Sequence, residues 1–188
     1  MASNISTIKG KLSGGGSRSN LFKVNMVYPT GITGGNEDVL VKSAGLPSSN
    51  LGIIEVPVRG LILKVAGDRT IDTWTVTVIN DEGFILRNAF EEWADLIARL
   101  DNNIGATDPA AYMTNATVYQ LGRGSTPNST TNAGNANAVL KEYQFIDIFP
   151  TQVSQIDLSY DSGDTIEEFT VEFQVQSFTA AGAGGPNG

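Results

Sequence analysis

The segment from Val65 to Asp81 restricts what this chain can fold into more than any other segment does. Within it, large apolar side chains alternate strictly with threonines, which is the two-residue period of a strand with one buried and one polar face. The apolar set is Trp74, Val76 and Val78, and the polar set is Thr73, Thr75 and Thr77. We therefore predict a half-buried strand from Thr73 to Ile79, preceded by a strand that ends at Ala66 and a polar turn at Gly67–Asp68.

Other segments are also extended in pattern, and one has the spacing of an amphipathic helix. Strands are predicted at residues 22–28, 39–44, 51–58, 61–65, 116–121, 140–149, 152–158 and 169–175. A helix is predicted at about residues 84–100, where apolar residues recur at helical spacing. These elements indicate a mainly β fold, an antiparallel β-sandwich or barrel with one flanking α-helix. The predicted core contains Trp74, Phe90, Trp93, Phe169 and Phe173.

The absence of cysteine and histidine narrows the functions open to the chain. Without them there is no disulfide, no thiolate metal site, and no Ser-His-Asp or Cys-His catalysis. We therefore expect neither an enzyme nor a cofactor. The 20 acidic and 12 basic residues give a net charge of −8, which disfavours stable binding to a phosphate backbone. Acidic residues between Asp157 and Glu168 could bind calcium, but a solvated hairpin turn is the favoured interpretation.

The chain is expected to form one domain with extensions. Residues 1–19 are rich in Gly, Ser and Lys and are predicted to be a flexible arm without the apolar centre of a signal peptide. Residues 20–178 are predicted to be the β-domain, and residues 179–188 a flexible tail. The low-complexity stretch at residues 122–138 is predicted to be a mobile loop.

Two of the predicted strands have wholly polar faces. Thr73, Thr75 and Thr77 form one such face, and Glu172, Gln174 and Gln176 form the other. The plainer interpretation is the ordinary solvent face of an antiparallel sheet. The more specific one is the wall of a water-filled channel built from neighbouring subunits, with the Glu172 set as first choice and the threonines as second.

Residues 44–59 are apolar but are interrupted by Pro47, Gly52 and Pro57, and such a segment is hard to bury in a lone monomer. We expect an extended hairpin that reaches another subunit or ring. The candidate interface residues are Leu46, Leu51, Ile53, Ile54, Asp68 and Arg69. For Asp68 and Arg69, a turn and a salt bridge between subunits both stay open.

Four segments, taken in order along the chain, resemble the tail tube proteins of contractile-tailed, T-even-like bacteriophages. They are residues 20–24, residues 65–81, Phe90–Trp93, and a run comprising residues 149–153, 158–162 and 166–171. The resemblance extends from about residue 20 to residue 178. It implies a β-sandwich or barrel subunit that assembles into hexameric rings, which stack into a hollow tube inside a contractile sheath.

The same resemblance implies partners and a location. The partners would be further copies of the chain, the sheath, a tape-measure protein, the baseplate and a tail terminator, with DNA in transient, non-specific passage. The location would be the virion tail, after assembly in the host bacterial cytoplasm. Two alternatives stay open: the inner tube of a phage-derived contractile injection system or bacteriocin, and a monomeric β-sandwich module that binds sugar or peptide.

Overall fold

The structure, a computed structural model, describes residues 5–11, 16–35, 40–102, 104–122, 139–161 and 163–181. These residues include the helices α1 (Ile5–Lys11), α2 (Ile85–Ile97) and α3 (Pro109–Tyr112). The strands are β1 (Phe22–Met26), β2 (Val41–Ala44), β3 (Ser49–Val58), β4 (Leu61–Ile71), β5 (Trp74–Ile79), β6 (Thr114–Leu121), β7 (Val139–Val153) and β8 (Glu168–Ala181). The predicted mainly β fold with a flanking amphipathic helix is confirmed.

Strands β5 and β8 are neighbours in a six-stranded sheet whose strand order is β1-β6-β7-β8-β5-β2. They run antiparallel, with Trp74 opposite Phe173 and Val76 opposite Val171. Along each strand the apolar set is buried and the polar set between is half-buried or exposed, as the two-residue period predicts. One face of this strand pair therefore belongs to the core, and the other does not.

Helix α2 packs on the apolar face through buried side chains that include Phe90 and Trp93. The ring centroid of Phe173 lies 5.8 Å from that of Phe90 and 5.9 Å from that of Trp93. Aromatic pairs at this separation add to stability beyond the area they bury. The five residues predicted as core, which also include Trp74 and Phe169, are at most 3% exposed.

Polar contacts fix the first turns of α2. The Nη1 atom of Arg87 donates a hydrogen bond to the carbonyl of Ser154 (2.6 Å), and the guanidinium carbon lies 5.2 Å from the ring centroid of Phe169. The carboxylate of Asp81 accepts a hydrogen bond from the backbone N–H of Ile85 (3.2 Å), one of the donors that a helix start leaves unpaired. The helix ends at Ile97, three residues before its predicted end.

Two predicted breaks in strands are wrong. Strand β4 runs from Leu61 to Ile71, so Gly67–Asp68 is not a turn. Strand β7 continues through Pro150. The backbone N–H of Asp147 already donates to Oδ1 of Asn115, near the start of β6. Pro150 lies three residues further along β7. A proline within a strand is tolerated where its nitrogen faces no acceptor in the neighbouring strand.

By its contacts the chain divides into two units. The larger comprises residues 24–118 and 143–179, and it contains α2 and the buried apolar side chains. The smaller comprises residues 1–23, 119–142 and 180–188, and its described part contains α1, a helix that we did not predict within the N-terminal arm. Strand β8 extends to Ala181, into the predicted tail. Apart from Gly122, the predicted mobile loop lies outside the described residues, and the domain limits stay predictions.

Candidate assembly surfaces

The two sets of polar residues that we considered separately lie on one face of the sheet. Thr75 is opposite Glu172, and Thr77 is opposite Thr170. The same register places Thr73, just before β5, opposite Gln174. Gln176 follows on β8, where it is exposed. We call the surface formed by Thr73, Thr75, Thr77, Glu172, Gln174 and Gln176 the polar face.

One ion pair lies beside the polar face, between β2 and β8. Nζ of Lys42 on β2 lies 2.6 Å from Oε1 and 2.8 Å from Oε2 of Glu168. Glu168 shares its side of β8 with Glu172, because the two are four residues apart in a strand. The ion pair cancels its own charge, and Glu172 is the one ionisable residue among the six of the polar face.

Strands β3 and β4 form a separate two-stranded sheet, and almost every residue in it is exposed. They are joined by Arg59 and Gly60, whose φ angles are 48° and 86°. Positive φ at both central residues is typical of the type I′ turn, which matches the twist of a two-residue hairpin. The hairpin therefore extends from Ser49 to Ile71, beyond the predicted limit at Arg59.

The outer part of the hairpin has two unlike faces, because residues directly opposite in an antiparallel pair share a face. One face, which we call the aliphatic face, consists of the pairs Ile54–Val65, Val56–Leu63 and Val58–Leu61, and these side chains are 41–77% exposed. The other, the mixed face, consists of Ile53–Ala66, Glu55–Lys64 and Pro57–Ile62. Lys64 and Glu55 form an ion pair there, with Nζ 3.6 Å from Oε1.

At the base of the hairpin, two side chains donate hydrogen bonds to the carboxylate of Asp72. Asp72 accepts hydrogen bonds from Oγ of Ser48 (2.5 Å) and from Nδ2 of Asn50 (2.9 Å). Between base and outer part, the register shifts between Leu51 and Ile53, which leaves one extra residue in β4. This is a β-bulge, a device that bends a strand pair and increases its twist.

Known proteins match nearly the whole chain. A model of the family described as phage tail tube protein matches residues 17–181. Tail tube protein gp19 of Enterobacteria phage T4 is 35% identical over 159 residues, which cover 85% of this chain and 88% of the T4 protein. The chain belongs to the phage tail tube protein family. It is thus a structural protein of the phage tail, with its place in the virion, and the resemblance seen in the sequence is confirmed.

One further relative agrees with this assignment, and two solved structures share the fold. The gp19 protein of Enterobacteria phage T6 is 36% identical over 162 residues, with 85% of this chain and 88% of that protein covered. A chain in the extended sheath–tube complex of an extracellular contractile injection system, PVC, has a TM-score of 0.62 at 13% identity and covers 97% of this chain and 100% of its own length. A chain in the six-fold symmetrised baseplate of the anti-feeding prophage also has a TM-score of 0.62 at 13% identity, with 89% and 96% covered. These two likenesses show a shared fold.

The residues predicted for the interface of this tail tube family member are only partly brought together. Ile53 and Ile54 lie side by side in β3, but they point to opposite faces of the hairpin. Leu51 is opposite Arg69 on the base side of the bulge, Asp68 lies in the bulge itself, and Leu46 lies in the loop before β3. We missed the aliphatic residues from Val56 to Val65, although Gly60 between two β-branched runs is a hairpin signal.

Substitution of Gly67 by valine is expected to disorder the outer hairpin. A Cβ atom at Gly67 would lie 3.1 Å from the carbonyl carbon and 3.2 Å from the carbonyl oxygen of Gly52, so backbone must move. Overpacking of this kind costs roughly 1–3 kcal/mol. Amide hydrogen exchange at residues 53–58 should accelerate relative to the wild-type chain. Gly45→Val is the control, since a Cβ there meets no atom within 4 Å.

Two kinds of feature are absent from the described residues. None of the helices in the described ranges is long and apolar enough to cross a membrane. Within the same residues, no three acidic side chains converge in a way that could hold a metal ion.

Proposed function

We propose that this chain assembles into hexameric rings that stack into the hollow inner tube of a contractile phage tail, a structural role rather than a catalytic one. The observation that carries the proposal is the aliphatic face of the β3–β4 hairpin. Burial of a fully exposed Val, Leu or Ile side chain contributes about 1.5–3 kcal/mol. The six side chains of the aliphatic face are 41–77% exposed, so covering them contributes a large share of that amount from each. A soluble monomer rarely exposes a continuous apolar surface of this kind without a partner.

A second copy of the chain is the occupant we assign to the aliphatic face, in the same ring or the next. A ring built from identical head-to-tail contacts repeats one interface around an axis. It closes when the rotation from each subunit to the next, repeated a whole number of times, makes one full turn. Closure of the ring would also cover β2, a short strand at the edge of the sheet, and so prevent it from pairing with strands of other chains. Leu46, Leu51, Asp68 and Arg69, close to the hairpin base, belong to the same contact in this proposal.

The polar face forms the wall of the channel in our proposal. Helix α2 occupies the opposite side of the same strands, so the polar face is not needed for the monomer's core. Its side chains are neutral apart from Glu172, and the Lys42–Glu168 pair adds no net charge. Such a surface offers DNA few cations for phosphate contacts, and binding through counterion release would be weak. The genome could then pass without adhering.

The remaining proposed partners are those that the resemblance to tube proteins of contractile-tailed phages implies. The tube would be surrounded by the sheath, nucleated on the baseplate around a tape-measure protein and closed by a terminator. The chain's relation to the PVC sheath–tube chain is one of fold, so it supports the tube geometry and leaves the sheath contact residues open.

The first experiment is to purify the chain, concentrate it, and examine it by size exclusion and negative-stain electron microscopy, alone and with baseplates added. Rings or hollow tubes are expected, if not alone then on addition of baseplates. A chain that stays monomeric in both conditions would contradict the proposal and favour a binding module.

Single cysteines are expected to locate the polar face inside the tube. The chain has no cysteine, so Gln174→Cys and Thr75→Cys each give one reactive thiol. In assembled tubes both should react with a small maleimide that diffuses into the channel, and neither with a maleimide coupled to a protein too large to enter. The free subunit should react with both reagents.

The pattern of labelling separates three locations. A residue on the outer wall reacts with both reagents in the tube, and a residue in a subunit interface reacts with neither. Equal reaction of Gln174→Cys with both reagents would therefore refute its place in the channel wall. It would not affect the tube itself, which microscopy establishes separately.

A further inference from the structure

Helix α1 is too short to be stable by itself and is uncovered in the described subunit. It has seven residues, and isolated helices below roughly 12–15 residues are marginal in water. All of its described side chains are exposed, including Ile5 at 69% and Ile8 at 46%. These two isoleucines are three residues apart, so they lie on one side of the helix. A helix of this kind requires a surface that receives its apolar side.

The end of α2 provides a groove with the complementary character. It has a volume of about 800 Å³ and includes the apolar side chains of Ile32, Leu96, Leu100 and Ile104. Leu100 is 96% exposed and Ile104 is 68% exposed, so the groove is open to a ligand. Its volume lies in the range of about 300–1,000 Å³ in which pockets hold ligands of several side chains' size.

The charges of helix and groove are opposite. Residues 1–36 contain Lys9, Lys11, Arg18 and Lys23 and no acidic residue, although the whole chain has a net charge of −8. The groove is lined by Glu92, Asp95 and Asp101, with Arg99 as a single base. A basic helix with two isoleucines therefore fits this surface in both polarity and charge.

We infer that α1 of one copy docks in the groove at the end of α2 of a neighbouring copy, with Ile5 and Ile8 on Leu96, Leu100 and Ile104 and with Lys9 beside Glu92 or Asp95. The inference rests on the proposed tube, and it adds a contact distinct from the hairpin. The chain between α1 and β1 limits how far away the receiving groove can lie. Eleven peptide steps separate Lys11 from Phe22, and a chain of that length spans at most about 40 Å.

Disulfide trapping between two single-cysteine variants tests this contact. Ile8→Cys and Leu100→Cys chains are mixed, assembled into tubes and mildly oxidised. Because a disulfide requires Cα atoms within about 7 Å, a product of twice the subunit mass is expected from this mixture. In the matched control, Leu158→Cys chains are used in place of Leu100→Cys chains. Leu158 is also an exposed leucine (79%), but it does not line the groove. The mixture of Ile8→Cys and Leu158→Cys chains should give no such product.

Each outcome of the trapping has one meaning. Tubes without the Ile8–Leu100 product overturn the inference and leave the tube intact. A chain that contains both Ile8→Cys and Leu100→Cys provides the other comparison. If its two cysteines form a disulfide within one chain, with no gain in mass, α1 docks on its own subunit and the inference is also overturned. Failure of unmodified chains to form tubes would instead contradict the proposed function.

A charge exchange gives a second, independent measurement. Lys9→Glu should lower the yield of the trapped product roughly two- to fivefold at low salt, as expected for loss of an exposed ion pair. Combining it with Asp95→Lys in the groove chain should restore the yield. If Lys9→Glu leaves the yield of the trapped product unchanged at low salt, α1 of the neighbouring copy does not occupy the groove. The same conclusion follows if the groove becomes protected from hydrogen exchange only when sheath is added.

Discussion

Replacement of Leu63 by aspartate is expected to abolish tube formation while leaving the monomer folded. Leu63 pairs with Val56 at the centre of the aliphatic face, and it makes no contribution to the core because it is 57% exposed. In the tube its side chain would be covered. An uncompensated charge left in a buried contact costs roughly 3–5 kcal/mol. Since about 1.4 kcal/mol corresponds to tenfold, each contact should weaken by a factor of roughly 10² to 4 × 10³.

The adjacent residue is a closely matched control. Ile62 is 59% exposed, lies in the same strand and has a similar volume, but it belongs to the mixed face with Pro57. Ile62→Asp should therefore reduce assembly much less than Leu63→Asp. Both variants are measured by pelleting of tubes and by negative-stain microscopy. Unchanged far-UV circular dichroism and an unchanged urea midpoint would show that neither change affects the fold.

The comparison can fail in two informative ways. If both variants assemble normally, the hairpin is not part of the contact and the proposal loses the observation that carries it. If both fail equally, the two faces are both covered in the tube, and the distinction between aliphatic and mixed faces is wrong.

The elements that could be predicted from the sequence are those whose pattern is local. Alternation in β5 and β8 identified the buried and polar residues correctly, because a two-residue period requires no knowledge of distant partners. The pairing of Thr75 with Glu172 could not be obtained in this way. It is a contact between residues far apart in the chain, and register between such strands is set by packing. As a result, one polar face was treated as two alternatives.

The hairpin shows a different limit. Gly67–Asp68 has the composition of a turn, but glycine within a strand also marks a bulge or a close approach of two backbones. Here Gly67 lies against Gly52, and only the paired structure reveals this. The true turn at Arg59–Gly60 requires positive φ from an arginine, which no composition rule favours.

Replacement of Trp93 by alanine is expected to be the most destabilising single change in the core. The side chain is completely buried, and its Nε1 donates a hydrogen bond to the carbonyl of Tyr112 (2.8 Å). Its ring also lies 6.0 Å from that of Tyr28 and 5.9 Å from that of Phe173. It thus joins α2 to the sheet and to α3. Trp→Ala in a core typically costs about 3–5 kcal/mol.

The measurement requires a subunit that cannot assemble, because assembly stabilises the folded state by mass action. Both chains should therefore contain Leu63→Asp. Urea unfolding is followed by far-UV circular dichroism, since the substitution removes one of the two tryptophans and would alter fluorescence directly. The expected loss in the free energy of unfolding corresponds to a fall in melting temperature of roughly 6–20 °C for a chain of this size.

Trp93→Phe separates packing from hydrogen bonding. It retains most of the ring but leaves the carbonyl of Tyr112 without its donor, so a smaller loss of about 1–3 kcal/mol is expected. A loss below about 1 kcal/mol for Trp93→Ala would mean that α2 does not unfold together with the sheet. In that case the apolar face of β5 and β8 would have to be stable without its covering helix. Its seven buried side chains (Trp74, Val76, Val78, Phe169, Val171, Phe173 and Val175) make that outcome physically unreasonable in water.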